Sequence, residues 1–311
     1  MYNAGMKVSF KTTVLPLITA LIWGVAFAAQ DVCADKVPAF TLNALRFFIA
    51  VVFLFIVRML VRAFGNRGNK RDIARISDAD KSHAHRTLIR AGLLCGLALG
   101  IASNLQQAGM QAGTDAGKAG FITALYIVLV PIFGLFLKKR APRILWIGVA
   151  LAVIGLYLLC IHSSITLASG DVLTLICAAV FAIQILLVDR YASQLDPILF
   201  CIAEFVVAGT ISALGMLVFE NPDWGAVASC ILPILYIAVF SSGVAYLFQI
   251  IAQREGDPAV VSLLFSMESV FSVIAGAILL GQSMTAREYI GCALILVAVI
   301  IAQLPEKKAS A

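Results

Sequence analysis

The stretch from Ile231 to Ile251 reads ILPILYIAVFSSGVAYLFQII and contains no charged side chain in 21 residues. About 20 apolar residues at a rise of 1.5 Å each match the ~30 Å hydrocarbon core of a bilayer. Only helices and closed barrels satisfy every backbone polar group in hydrocarbon, and the run lacks the alternating polarity of a barrel strand. It therefore predicts a membrane-spanning helix.

Similar apolar stretches recur along the whole chain, and most of their connections are short. Of the 311 residues, 61% are hydrophobic and 13% are charged, whereas soluble domains average about 45–50% and about 25%. Ten windows reach spanning length: Thr13–Val32, Ala39–Leu60, Leu88–Gln111, Gly117–Leu137, Leu145–Ile161, Asp171–Asp189, Pro197–Phe219, Ile231–Ile251, Pro258–Leu280 and Tyr289–Leu304. We therefore predict an all-α, polytopic membrane protein with ten transmembrane helices embedded in a lipid bilayer.

The distribution of Lys and Arg predicts the orientation of the chain. With the N-terminus inside, 19 of these residues fall on the inner side and three, Lys36, Lys118 and Arg287, on the outer side. Positive loops remain in the cytoplasm, so we expect a cytoplasmic-membrane protein with both termini inside. The net charge of +6 then reflects topology, and no nucleic-acid partner is expected. Residues 62–87 are predicted to form a cytoplasmic polar loop, with a short amphipathic surface helix as the alternative.

A weak internal repeat divides the ten windows into two halves. At an offset of 143 residues, for example, Gly148 falls on Gly291. The halves are residues 12–161 and 169–304, with five windows each. Because five is odd, the second half enters the membrane in the opposite sense, and inverted halves of this kind enclose a site near the bilayer midplane in carriers.

Five short segments occur in a characteristic order along nearly the whole chain. They are Trp23-Gly-Val-Ala-Phe27, ALYIVLVPIFG (Ala124–Gly134), WIGVALAVIGLY (Trp146–Tyr157), Glu268-Ser-Val-Phe-Ser and Leu279-Leu-Gly281-Gln282. Together they resemble the EamA-type transporters of the drug/metabolite transporter (DMT) superfamily, although Ser269 and Gln282 stand where family members commonly have Pro and Glu. The resemblance implies two inverted five-helix repeats, a central cavity lined largely by the third, fourth, eighth and ninth helices, and a small-molecule substrate.

Three charged residues lie at least seven residues from either end of an apolar window, at a depth where a charge costs about 2.5–3.5 kcal/mol on insertion scales. Glu268 is near the middle of the membrane, and we expect it to line the cavity and bind a cationic group or a coupling proton. The alternative is that it caps a neighbouring helix or pairs with a structural Arg. Arg46 either pairs with Asp31 or Asp35 to hold two helices together or attracts an anionic substrate group. Glu204 either reaches the inner interface from a peripheral helix, which we expect, or has a functional role.

Four uncharged side chains complete the predicted substrate site. Asn104 and Gln107 are spaced i,i+3 and share a helix face, where their amides either line the cavity or join two helices by hydrogen bonds. Tyr126 and Trp23 either stack on the substrate or serve helix packing.

Gly92, Gly96 and Gly100 recur every four residues in the third window. Small residues at this spacing let helix backbones approach closely. This glycine stripe therefore predicts a packing surface for another helix.

No catalytic constellation is present in the sequence. It contains no GxSxG, HExxH or phosphate-binding motif, its three histidines are dispersed, and its seven cysteines form no CxxC pair. We therefore expect no enzyme activity, no cofactor and no metal, and energy from ion or substrate gradients, with protons as the candidate coupling ion. The predicted function is a secondary transporter, as a monomer or homodimer, that exports small metabolites such as amino acids or drugs by alternating access. The alternatives are a membrane-embedded lipid-modifying enzyme and a non-transporting membrane scaffold.

Overall fold

The computed structural model describes residues 10–64, 78–114, 116–139, 141–161, 168–280 and 285–303, with only the backbone at 78–81, 116–117, 160 and 275–280. All regular structure in these ranges is helical. The prediction of an all-α protein is therefore confirmed. Gln282, one of the two departures from the family pattern, lies outside the described residues.

The helices follow the apolar windows, and each of the ten windows overlaps a helix. Their bounds are α1 Leu15–Ala34, α2 Ala39–Phe64, α3 Asp78–Gln111, α4a Ala116–Ala124, α4b Tyr126–Phe136, α5 Arg143–Cys160, α6 Ser169–Ala192, α7 Pro197–Phe219, α8a Ile231–Tyr236, α8b Leu247–Gln253, α9a Pro258–Phe265, α9b Met267–Leu280 and α10 Ala286–Ala302. A π-helical turn, Phe10–Val14, precedes α1, and a short helix, Trp224–Ser229, precedes α8a.

Seven helical segments in the described part of the chain are long and apolar enough to cross a membrane. They are Phe10–Ala34, Ala39–Phe64, Ser82–Gln111, Lys118–Phe136, Ser169–Ala192, Pro197–Phe219 and Ile231–Gln253. Two shorter apolar helices, Arg143–Leu159 and Pro258–Ile274, accompany them. The chain is thus a multi-pass membrane protein.

Three of the helices change their winding part of the way along. At Leu125 and Ser266, the backbone N–H donates three residues back, to the carbonyl oxygens of Ile122 and Leu263, at 3.2 Å in both cases. These tightened turns separate α4a from α4b and α9a from α9b. Between α8a and α8b, residues Ile237–Tyr246 form a wider π-helix, a conformation that occurs frequently at functional sites.

The glycine stripe of α3 packs against α7, which confirms the predicted packing surface. A Cβ atom on Gly92 would lie 2.7 Å from the Cβ of Ala203, and one on Gly100 would lie 3.1 Å from the Cα of Ala208. Gly96, between them, faces the backbone of Glu204. These contacts bring the two helices closer than side chains at the stripe would allow.

Three buried clusters hold the described helices together, and the two larger ones join most of the helices. The first joins α4b, α5, α9a and α10 through residues such as Leu156 and Phe265. The second joins α2, α3, α7 and α8b and includes Phe47 and Phe205, whose ring centroids are 5.5 Å apart. Apolar side chains such as Ile101 are exposed on the opposite faces of the helices, as expected for surfaces in contact with lipid.

The connection predicted as the loop 62–87 is bounded by longer helices than expected. Helix α2 continues to Phe64, and α3 begins at Asp78, so residues 78–87 extend the third helix. This part is therefore neither loop nor separate surface helix. Residues 65–77 lie outside the described part of the chain.

Candidate functional site

A cavity lies between the helices, with about 540 Å³ of empty space including its mouth. It is lined by Trp23, Ala26, Phe27 and Gln30 of α1, Arg46 of α2, Gln106 of α3, Thr123 and Tyr126 of α4, Phe181, Gln184 and Ile185 of α6, Ser241, Tyr246 and Gln249 of α8, and Glu268 of α9. The expectation that the third, fourth, eighth and ninth helices contribute most of the lining needs correction. Helices α1 and α6 provide nearly half of it, seven of the fifteen lining residues.

Glu268 is a buried carboxyl in the wall of this cavity, with 3% of its surface exposed. The hydroxyl of Tyr126 donates a hydrogen bond to its Oε1 at 3.2 Å. Tyr126 begins α4b directly after the turn at Leu125, and Glu268 follows the turn at Ser266. The two interrupted helices therefore bring the predicted acid and the predicted aromatic residue together.

Trp23 contributes an aromatic surface to the same wall. Its Nε1–H donates to the carbonyl oxygen of Ser241 at 3.1 Å, and its ring makes edge contacts with Tyr246 and Phe265 at centroid distances of 5.1 and 5.0 Å. Its neighbour Gly24 allows α1 to approach α9b so closely that a Cβ there would lie 2.5 Å from the carbonyl oxygen of Glu268. The indole is thus held rigidly beside the acid.

Arg46 is buried in the cavity wall among neutral groups. Its Nε donates to Ser242 Oγ and its Nη1 to Gln30 Oε1, both at 3.0 Å, and Nη2 lies 3.5 Å from Ser241 Oγ. Within the described residues it makes no ion pair, so the proposed pairing with Asp31 or Asp35 is not found. A guanidinium has five N–H donors, so two remain for another acceptor.

The predicted face of α3 is not the one that lines the cavity. The Asn104 amide donates to Ser212 Oγ at 2.8 Å and accepts from Asn43 at 3.1 Å, so it joins α3 to α7 and α2. Gln107 lies behind the wall, with its Nε2 3.5 Å from the carbonyl oxygen of Gln30. Gln106 faces the cavity instead, and it donates to Thr123 Oγ1 at 3.1 Å.

Glu204 is also buried, contrary to the expectation that it reaches the inner interface. Its helix, α7, is not peripheral but packs between α2 and α3, and none of the residue's surface is exposed. Its Oε1 accepts a hydrogen bond from Gln184, a cavity residue, at 2.8 Å. Glu204 is therefore connected to the cavity wall through Gln184.

Several polar cavity residues were not selected from the sequence. Gln184 and Gln249 are single amides within otherwise apolar windows, and such residues serve helix contacts as often as sites. Ser241 is placed by the π-helical stretch of α8, which has no reliable sequence signature. Of the three, only Ser241 lies in the middle of its window, ten residues from Ile231 and from Ile251, so depth along the window could have indicated that residue alone.

The chemistry of the cavity is that of a site for a small polar molecule. It combines a carboxyl, a guanidinium with free donors, several amides and the rings of Trp23, Phe181 and Tyr246. Mostly apolar walls with a few fixed polar groups are typical of small-molecule sites. A membrane protein with such a site between its helices has the features of a solute transporter.

Comparison with known proteins identifies the family. The sequence profile of the EamA-like transporter family matches residues 11–161 and 168–303, and the chain belongs to this family, which is part of the DMT superfamily. A protein of Archaeoglobus fulgidus named "Uncharacterized transporter" is 29% identical over 301 residues, which cover 96% of this chain and 88% of that protein. A crystal structure with 19% identity has the same fold, with a TM-score of 0.75 over 94% of this chain and 96% of the other. These findings support a membrane transporter with a small-molecule substrate rather than an enzyme.

Proposed function

We propose that the protein is a secondary carrier that exports small metabolites such as amino acids or drugs across the cytoplasmic membrane by alternating access. The observation that carries the proposal is Glu268, a buried carboxyl in a central cavity, held by Tyr126 where two interrupted helices meet. An ionisable group at this depth costs about 2.5–3.5 kcal/mol on insertion scales. Binding of a cationic solute group or a proton offsets that cost.

The helix contacts support two halves of five helices, residues 12–161 and 169–304. Each helix of the first half can be exchanged for the helix five positions later, and each helix of the second half for the one five positions earlier. The contact between α3 and α6 then corresponds to that between α8 and α1, α3–α7 corresponds to α8–α2, and α1–α9 corresponds to α6–α4. All six pairs are in contact. The pairs α2–α7, α4–α9 and α5–α10, also in contact, map onto themselves. Such a pseudo-twofold arrangement has two near-equivalent packings, one open to each side of the membrane.

The interrupted helices support a substrate site between the halves. Under the same exchange α4 corresponds to α9, and the turns at Leu125 and Ser266 occupy similar positions in them. Interrupted spans in corresponding positions of two halves commonly mark the binding site of a carrier. The hydrogen bond between Tyr126 and Glu268 joins these two places.

The polar groups of the cavity favour a solute with both a positive and a negative group. Glu268 offers a carboxylate to a cation, and Arg46 offers unpaired N–H donors to a carboxylate. Trp23 provides an aromatic face for the rest of the molecule. Asn104 and Gln107 support the wall from behind.

The distribution of Lys and Arg favours a topology with both termini in the cytoplasm, because 19 of these residues fall on one side and three on the other. The mouth that loads the exported solute is then the cytoplasmic one. Reporter fusions at the two chain ends test this topology, and opposite locations of the two reporters would exclude it.

Efflux from reconstituted vesicles tests the proposed function. Vesicles loaded with radiolabelled amino acids or cationic dyes are expected to lose at least one of these solutes, faster when a pH gradient is imposed. Glu268→Gln is expected to abolish efflux without loss of folded protein. Glu255→Gln is the matched control because Glu255 is exposed and, among the described residues, forms a surface ion pair with Lys11.

The outcomes separate the alternatives. Efflux at the normal rate in Glu268→Gln would exclude a role of this carboxyl in transport. Altered lipids in the vesicles, detected by mass spectrometry, would instead indicate a lipid-modifying enzyme. Retention of every solute, with unaltered lipids, would favour a scaffold.

A further inference from the structure

A second buried carboxyl, Glu204, lies outside the cavity but is connected to it. Its Oε1 accepts from Gln184 Nε2 at 2.8 Å, while its Oε2 is buried without a hydrogen-bond partner. Within the described residues it makes no ion pair. A charged carboxylate in this position has neither a nearby cation nor a full set of hydrogen-bond donors. Binding of a proton would remove the free-energy cost of this buried, unpaired charge.

The side-chain amides of three glutamines, Gln184, Gln249 and Gln253, form a chain of hydrogen bonds that starts at Glu204. Gln249 Nε2 donates to Gln184 Oε1 at 3.1 Å and to Gln253 Oε1 at 3.0 Å, and Gln253 Nε2 donates to the carbonyl oxygen of Ile185 at 2.9 Å. Both N–H groups of Gln249 are thereby used, and its Oε1 is buried without a partner. Gln184 and Gln249 are residues of the cavity wall.

The direction of this series depends on what Glu204 can do. An ionised carboxylate only accepts, so Gln184 must turn its NH₂ group toward Glu204 and its carbonyl toward Gln249. That arrangement is the one observed, and it leaves the carbonyl of Gln249 unpaired. A protonated carboxyl can donate, so Gln184 can reverse, accept from Glu204 and donate to Gln249 Oε1. Gln249 must reverse with it, which turns its carbonyl oxygen toward Gln184, moves its NH₂ group to the place that the carbonyl now holds, and withdraws the donor of Gln253 Oε1.

We propose that Glu204 is a proton-binding site of the carrier and that Gln184 and Gln249 transmit its occupancy to the cavity by reversing their amides. A hydronium ion that enters with water when the cavity opens gives its proton to the carboxylate and leaves as water. With Glu204 ionised, the Gln249 carbonyl is available to an N–H donor of a solute. With Glu204 protonated, Gln184 occupies that carbonyl, so a proton and the solute exclude each other. This last step depends on the proposed carrier function.

Among the residues that the structure describes, no group around Glu204 would compete for this role. The titratable side chains that interact with it electrostatically are Cys95 of α3, Cys201 of its own helix and Tyr246 of the π-helical stretch. A thiol or a phenol carries no positive charge in either protonation state. From α6 it is faced by the neutral amide of Gln184.

Infrared difference spectroscopy of the protein in phosphatidylcholine vesicles tests the proposal without any solute. Spectra in acidic and alkaline buffer are compared in a Glu268→Gln background, which removes the buried carboxyl of the cavity wall. We expect one protonated-carboxyl band to disappear on alkalinisation while a side-chain amide band shifts with the same midpoint. Adding Glu204→Gln should abolish both changes, whereas adding Gln184→Met should keep the carboxyl change and abolish the amide shift.

Controls make each result decisive. Gln194→Met, which removes an exposed amide at the end of α6, should leave both changes intact. An amide shift that survives Glu204→Gln, or no carboxyl change in the Glu268→Gln background, would overturn the proposal. If Glu204→Gln does not fold, the Gln184→Met variant tests the proposal. A full pH-dependent amide shift in that variant would show that Gln184 does not transmit the protonation of Glu204. Normal efflux in Glu268→Gln would refute the proposed substrate site but leave these spectra unaffected.

Discussion

The contact between α3 and α7 leads to a quantitative prediction for Gly96. A Cβ at this position would lie 2.5 Å from the carbonyl oxygen of Glu204 and 2.6 Å from the Cβ of Val207, whereas ordinary contact begins at 3.4 Å. The nearest atom is backbone and cannot rotate away. Gly96→Ala therefore requires the two helices to separate by nearly 1 Å. Gly120→Ala is the matched control, because a Cβ there meets no described atom within 4 Å.

The comparison of the two variants isolates the cost of the steric conflict. Alanine is favoured over glycine in a helix by about 1 kcal/mol, and this gain is common to both substitutions. Overpacking a tight contact costs about 1–3 kcal/mol, and only Gly96→Ala incurs it. At about 2–4 °C per kcal/mol for a chain of this size, Gly96→Ala should melt roughly 2–12 °C below Gly120→Ala.

Thermal unfolding of the two purified variants in the same detergent, followed by tryptophan fluorescence at one scan rate, measures this difference. Equal melting temperatures for the two variants would refute the close packing of α3 on α7. The same displacement moves the backbone of Glu204, so the pH-dependent amide shift should also weaken in Gly96→Ala. Gly120→Ala should retain it in full.

The remaining predictions concern single hydrogen bonds. Tyr126→Phe removes one bond to Glu268 and should reduce efflux about two- to tenfold, as a net loss of about 0.5–1.5 kcal/mol implies; normal efflux would contradict its role. Glu220 accepts from the N–H and hydroxyl of Thr41 at 2.7 Å, so Glu220→Ala should destabilise the start of α2 by about 1–2 kcal/mol, seen as a lower melting temperature. Arg46→Lys keeps the charge but loses the planar guanidinium, and should raise the KM of an exported amino acid about tenfold, since one charge-assisted bond is worth about 1.5 kcal/mol or more; an unchanged KM would argue against carboxylate binding there.

The positions of the helices could be predicted because length and polarity in hydrocarbon leave few choices. The interruptions in them could not. Leu125 and Ser266 are ordinary residues in a helix, and Pro131, the obvious candidate for a break in α4, lies inside the regular helix α4b. The tightened turns and the π-helical stretch result from packing between helices, which a single window does not encode.

The candidate site was accessible to sequence reasoning where a residue type is rare in a membrane. Glu268 and Arg46 are charged, and they were identified for that reason. The i,i+3 spacing indicates that Asn104 and Gln107 share a helix face. It does not indicate which face of α3 is turned toward the cavity, so Gln106 was not predicted as a cavity residue. That choice depends on how α3 packs against its neighbours.

Glu204 shows that the position of a residue along a helix does not predict whether it is buried. Counting residues from Pro197 placed it near the inner end of its helix, where a peripheral position would expose it. The structure packs α7 between α2 and α3, so the same depth becomes a fully buried site. Depth along a helix follows from sequence, whereas the surroundings at that depth follow from the tertiary fold.

The central claim, one cavity reached from both sides of the membrane in turn, is tested most directly by accessibility. Thr123 is buried in the cavity wall, and a single cysteine there, with the seven native cysteines replaced, can be labelled with a membrane-impermeant thiol reagent. We expect labelling from the cytoplasmic side and, in vesicles of the opposite orientation, from the outer side as well. Labelling from one side only, under every solute and pH condition, would contradict alternating access.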